Sequence, residues 1–263
     1  MDTLLIILLV FAVLILATTL FFKKKKTEPA KPLPETYREL LRQHVSFYNQ
    51  LDNPKKTEFE NRLEIFLSQV RITGVKTTVE DIDRVFIAAS AIIPIFGFPG
   101  WQYVNLHEVL LYPGSFNHEF EFEGPRRNTT GIVGTGPYQH VMILSQQDLR
   151  QGFLDKTGKD NTAIHEFVHL VDKTDGSVDG IPEFILSKQY ILPWLNLMHR
   201  EIKQIMANRS DINPYGATNE AEFFAVAAEY FFERPDLLQT KHPELYNILS
   251  TIFRQQPQKP ERI

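Results

Sequence analysis

The pentapeptide His165-Glu166-Phe167-Val168-His169 narrows what this chain can become more than any other segment. It lies in an apolar run with helical periodicity, made of Ala163, Ile164, Phe167, Val168, Leu170 and Val171. Residues four apart on a helix stand one above the other on the same face. The spacing therefore predicts two imidazoles that close on one metal ion from one side. Glu166 stands beside them, placed to take a proton from a water activated there. The competing reading is a buried helix whose histidines are satisfied by ordinary hydrogen bonds. A catalytic zinc takes three protein ligands and keeps one position open, so the motif requires a third ligand elsewhere. The sequence has no Cys, which excludes a thiolate.

Several acids compete for that role. Asp175 lies six residues past His169, where some zinc helices place a third ligand. That layout needs a glycine midway to turn the chain, and Asp172 stands there instead. Asp172 is better placed to orient an imidazole or to end the helix. Residues 174–180 are turn-rich and read as an ordinary loop leaving the helix. Downstream, residues 213–232 form a turn followed by a strongly apolar helix that Thr218 or Asn219 would cap. Glu222 and Glu229 are seven apart and share one face of it. A carboxylate in so apolar a helix needs a partner, and a metal is one. Glu222 also fits a capping box with Asn219, and Glu220 suits the first turn of a helix as a plain charge. Spacing alone leaves Glu222 and Glu229 level, with Glu220 behind them.

Two segments resemble the Mlc titration factor A family, the glucose-regulated metallopeptidases. One is Ala163-Ile-His-Glu-Phe-Val-His-Leu-Val-Asp172 with Asp179-Gly180-Ile-Pro182 after it. The other is Ala217-Thr-Asn-Glu-Ala-Glu-Phe-Phe-Ala-Val-Ala-Ala-Glu-Tyr-Phe-Phe-Glu233-Arg-Pro235. Weaker agreement at residues 109–114 and 141–145 extends the resemblance over about residues 35–255. The second segment is also similar to the catalytic domain of anthrax lethal factor. The resemblance implies a zincin-like metallopeptidase domain holding one Zn²⁺ per chain through His165, His169 and Glu222. It implies Glu166 as the catalytic base and Tyr215 as a group that stabilises the transition state. Lethal factor carries a further glutamate where this chain has Val226; that role is absent here or passes to Glu229. Weak aminopeptidase activity on small peptide substrates is implied, as is a regulatory protein partner such as a transcriptional repressor. Read from its residues alone, Tyr215 is a turn tyrosine packed on the surface after Pro214 before it is a functional group.

Residues 4–22 are nearly all apolar, long enough to span a bilayer as one helix. Lys23, Lys24, Lys25 and Lys26 follow at once. A secretory signal would carry its positive charge before the apolar core and a small-residue cleavage site after it, and neither is visible. The lysines predict a single-pass anchor in the cytoplasmic membrane, with the main domain facing the cytoplasm. Residues 1–26 are thus expected to be an anchor in contact with the lipid bilayer. Residues 27–35 read as a stiff proline-rich linker, and residues 36–263 as the catalytic domain. The formal net charge of −4 gives no support for nucleic-acid binding.

The expected class is α+β, mostly helical, with a small sheet against the metal helix. Helical patterns cover residues 37–72 and 79–93, then residues 183 onward, where Pro235 and Pro243 each begin a further helix. A proline- and glycine-rich break is expected at residues 94–99. Short apolar runs at 104–112 and 141–144 predict strands, and the alternation at 116–122 predicts a strand with one wet face. The glycine-rich residues 131–138 are expected to border a substrate cleft, pairing with a peptide backbone as an edge strand does. His107, His118 and His140 read as surface residues.

Overall fold

The first helical region breaks where its own residues restart it. The computed structural model describes residues 33–117, 119, 121 and 127–258. Instead of one run over 37–72 there are three helices, α1 (Glu35–His44), α2 (Ser46–Asn49) and α3 (Asn53–Gln69). Val45 is extended between the first two. Asp52 is extended before the third, where its carboxylate accepts the Lys55 N–H at 2.9 Å and Pro54 occupies the first turn. Both are helix-start signals, and they override the continuous apolar stripe. Ile72 then belongs to strand β1 (Arg71–Gly74).

Helix α4 (Asp81–Ile95) is buried along nearly its whole length, with Val85, Phe86, Ile87, Ala88 and Ala89 fully enclosed. It includes Pro94 and ends at Ile95, so the break expected at 94–99 begins two residues later. The carbonyls left over at a helix end must find donors. Here the Arg62 guanidinium donates to the Ile95 and Phe96 carbonyls at 2.8 and 3.0 Å, and the Gln255 amide donates to Ile93 at 2.9 Å. Side chains distant in sequence thus carry the helix past the point where local signals would stop it. At the other end, buried Asp83 accepts the Glu80 N–H and a two-toothed bond from Arg150 at 2.7 and 2.9 Å. That bond clamps helix α5 (Gln146–Leu154) onto α4.

The sheet is mixed, with β2 (Glu108–Tyr112), β3 (Gly131–Val133) and β4 (Val141–Ser145) joining β1 in the order β1-β2-β4-β3. The first three strands of that order are parallel, with Ile72 opposite Val109 and Val109 opposite Met142. Strand β3 runs antiparallel to β4 and forms one edge. The strand expected from residue 104 starts only at Glu108. The strand expected at 116–122 is a correction among the described residues: Phe116 makes an isolated bridge to Thr129, and the Asn117 side-chain oxygen then accepts the N–H groups of Glu119 and Glu121. That local bonding competes with extended pairing. His118, Phe120 and Phe122 lie outside the described residues.

After helix α6 (Thr162–Asp172) come α7 (Ile191–Met206), α8 (Glu220–Glu233), α9 (Pro235–Lys241) and α10 (Pro243–Phe253), the last two opening on proline as expected. The result is a mostly helical α+β fold with a small mixed sheet. The expected membrane segment, residues 4–22, lies outside the described residues with its lysine flank. Among the described residues no helix is long and apolar enough to cross a membrane.

A charged knot joins these last helices. His242 bonds Glu201 at 3.2 Å and Asp211 at 2.8 Å, and Asp211 also accepts from Lys241 and Tyr230. The Glu201 bond foremost, with Asp211, raises the His242 pKa above its ordinary value against the opposing effect of burial. A folded pKa above the unfolded one gives stability that is complete below the unfolded value of about 6.5 and is lost as pH rises through the folded value. His242→Gln should therefore lower Tm by about 3–6 °C at pH 6, for about 1.5 kcal/mol of charge-assisted bonding. Calorimetry at pH 9 should find a smaller loss.

Candidate metal centre

Helix α6 is fixed before its histidines are considered. Asn161 caps it, its side-chain oxygen accepting the Ile164 N–H at 3.2 Å. Ala163, Ile164, Phe167 and Val168 are fully buried, and the helix packs on α4, α8 and β3. That burial leaves one face, carrying His165, Glu166 and His169, to line a cleft of about 760 Å³. Gly131, Ile132, Tyr215 and Glu222 line it too. The edge strand β3 therefore borders the cleft, as the glycine-rich segment led us to expect.

Glu222 reaches this face from the first turn of α8. His165 Nε2 and His169 Nε2 are 3.1 Å apart. A Glu222 carboxylate oxygen is 2.9 Å from the first nitrogen and 3.4 Å from the second. Tetrahedral zinc with bonds of about 2.0–2.1 Å spaces its ligand atoms by about 3.3 Å. The three donor atoms stand close to that spacing, and among the described residues they form the one cluster suited to a metal ion. Glu222 is therefore no capping box: Asn219 caps α8 by accepting the Glu222 N–H at 2.9 Å, while the Glu222 side chain turns to the histidines. Burial pushes the Glu222 carboxyl up, but bonds from His165 and His169 outweigh it and hold the carboxyl at about 2.

Glu229, the rival candidate, sits behind the first histidine. Its carboxylate bonds His165 Nδ1 at 2.6 Å and accepts the Asn161 N–H at 2.5 Å. This fixes the His165 ring so that Nε2 points to the cleft, the usual way a carboxylate orients a metal-binding imidazole. Burial works against a charge on His165, yet Glu229, Glu222 and Glu166 outweigh it and raise its pKa. The Asn161 amide also donates to Glu233 at 2.8 Å, and burial lifts the Glu233 carboxyl to about 7. Two imidazoles among the carboxylates of Glu166, Glu222 and Glu229 make a donor set short of positive charge, which a divalent cation supplies.

Glu166 is buried and makes no hydrogen bond among the described residues. Burial raises its pKa. It lies against β3 so closely that a Cβ on Gly131 would sit 2.6 Å from its Cγ and 2.8 Å from its Oε1. Tyr215 occupies a single 3₁₀ turn, its N–H bonded to Asn213 at 3.0 Å. It is 53% exposed, yet its ring centroid lies 6.0 Å from that of His165, so the ring stands at the cleft. Burial, then the charges of Glu222 and Glu166, raise its pKa.

The remaining acids stand elsewhere. Asp175 serves its own loop, accepting from Ser177 and Glu183. Asp172 holds the turn at Gly180, accepting its N–H at 2.8 Å, and burial foremost lifts its carboxyl to about 6. It does not orient His169, whose Nδ1 is buried and unbonded. Glu220 pairs with His199 at 3.4 Å at the rim. Sequence reasoning missed Asn161 and Glu233, and it placed Gly131 at the cleft without its contact to Glu166. The asparagine just before an apolar helix was a readable cap signal; the closeness of Gly131 to Glu166 has no local signature.

The sequence profile of the glucose-regulated metallo-peptidase M90 family matches residues 20–254. An uncharacterized protein of Synechocystis sp. is 28% identical over 239 residues, covering 86% of each chain. Mlc titration factor A of Pectobacterium atrosepticum is 30% identical over 207 residues, 73% of this chain and 76% of that one. Mlc titration factor A of Escherichia fergusonii is 29% identical over 227 residues, 81% and 84% of the two chains. With a donor set suited to a metal ion and a match over most of its length, the chain belongs to the glucose-regulated metallo-peptidase M90 family.

Proposed function

We propose that this protein is a zinc-dependent peptidase, acting on small peptides in the manner of an aminopeptidase and anchored to the cytoplasmic membrane by residues 4–22. The meeting of Glu222 with His165 and His169, from a helix more than fifty residues away, carries this reading. In it, His165, His169 and Glu222 hold one zinc per chain. Zinc bound there supplies a Lewis acid that polarises a carbonyl and acidifies water. Glu166 takes the proton of the attacking water and passes it to the leaving amine. The Tyr215 phenol donates a hydrogen bond to the oxygen that gains charge. The unpaired side of β3 aligns the substrate backbone. Glu229 keeps His165 in the tautomer that presents Nε2.

The relatives named Mlc titration factor A support a second reading: a metal-retaining scaffold that binds a regulatory partner with little turnover. A buried Glu166 at the cleft favours the first, since a scaffold has no use for a base. Metal analysis and hydrolysis of amino-acid amides decide between them. Wild type should carry about one zinc and hydrolyse the amides, while Glu222→Ala should lose both. Normal zinc content in Glu222→Ala would overturn the ligand assignment, and a zinc-loaded wild type without hydrolysis would favour the scaffold.

Gly131 offers a separate check. The methyl of Gly131→Ala must displace Glu166 or Thr162. Hydrolysis should fall by about 10- to 10²-fold with zinc content unchanged, as small misplacements of a reacting group do.

A further inference from the structure

A second cavity, of about 450 Å³, lies away from the metal cleft, between α3 and the segment leading to Tyr103. Its size suits a small organic ligand. Phe66, Ile92, Trp101 and Tyr103 give it apolar and aromatic walls. The charged residues lining it are Glu58 and Arg62.

Arg62 is unusual in this setting. Its side chain is only 11% exposed, and it is held still by its bonds to the Ile95 and Phe96 carbonyls. Those bonds use two of the five guanidinium N–H donors. The acid paired with it is Glu58, whose carboxylate stands 3.8 Å away, beyond hydrogen-bond distance, and is 46% exposed. A cation fixed over the Phe96 ring, in a wall of aromatic and polar side chains and with donors to spare, is matched by a planar anion that takes two parallel N–H bonds. Glu58 is free to turn to water when such an anion arrives.

We propose that this cavity is a binding site for a small amphipathic carboxylate. The apolar body lies against Phe66, Ile92 and Trp101, and the carboxylate sits on Arg62. This inference stands independently of the peptidase reading. The back wall nevertheless touches the metal helix: the rings of Phe66 and Tyr103 lie 5.7 and 5.2 Å from that of Phe167.

The test is calorimetric titration of the zinc-loaded full chain with 4-phenylbutyrate and with its neutral twin, 4-phenylbutyramide. The carboxylate should bind about 10-fold tighter or more, the share of one charge-assisted pair. Glu58→Gln should tighten it by about 3-fold, by removing the competing charge. Arg62→Met should weaken it at least about 10-fold. Because Arg62 also caps α4, Thr57→Trp gives a second route: it fills the mouth from an exposed position and should abolish binding without disturbing the fold. Equal affinity for acid and amide overturns the proposal. So does carboxylate binding that Thr57→Trp leaves intact, which assigns the probe to the metal cleft, or the absence of binding up to the probe's solubility.

Discussion

Glu166→Gln should retain its zinc and lose hydrolysis by about 10²- to 10⁴-fold, the range that a positioned general base contributes. Glu166 stands outside the His165, His169 and Glu222 cluster, so neutralising it leaves the donor atoms where they are. Among the described residues it makes no hydrogen bond that the fold would miss, and glutamine has the same size. Stability should hold or rise, because burial of an ionised carboxylate at this position is a cost. Parallel measurements of zinc content, Tm and amide hydrolysis would separate the outcomes. Turnover at the wild-type rate would remove Glu166 from the mechanism, and loss of zinc would mean that it supports the metal.

Glu229→Ala should weaken zinc binding by about 10- to 10²-fold and lower Tm by about 6–12 °C. The two effects have one origin. The carboxylate bridges His165 Nδ1 and the Asn161 N–H, so its removal strands two buried donors at once. Each orphaned donor costs about 1–3 kcal/mol, and freeing the His165 ring lets Nε2 wander from the metal position. Glu229→Gln should fall between, since it keeps an acceptor for one donor and loses the charge. Chelator competition reads the first effect and calorimetry the second. Wild-type zinc affinity in Glu229→Ala would show that helix packing alone orients His165.

The histidine pair was legible because its chemistry is local: two side chains one turn apart on one helix. The third ligand was not. Glu222 and Glu229 share a face of α8, and the spacing along one helix cannot say which end of it meets another. Only the packing of α8 on α6 separates them, with Glu222 at the cleft and Glu229 behind the ring. The resemblance to a family pointed to Glu222; the residues alone did not. Asp172 had two readings, orienting an imidazole or ending the helix, and one of its carboxylate oxygens holds the turn at Gly180 just past the helix end. In the fold, the helices with strong periodicity were readable, and their ends were not where distant side chains intervened. Arg62 and Gln255 extend α4 through Pro94 from elsewhere in the chain. The alternation at 116–122 misled because Asn117 offers the backbone a nearer partner than any strand.

The edge strand at the cleft is only three residues long and is bounded by glycine at its start. An open edge is a standing invitation to unwanted self-assembly, and proteins blunt it by keeping it short. Three residues offer too few rungs for a neighbouring molecule to zip onto and propagate a fibril. The same shortness suits a transient guest, which can lie down, be held briefly and leave. In the proposed peptidase, brevity at β3 thus keeps the cleft open to a substrate without making the molecule sticky to its own kind.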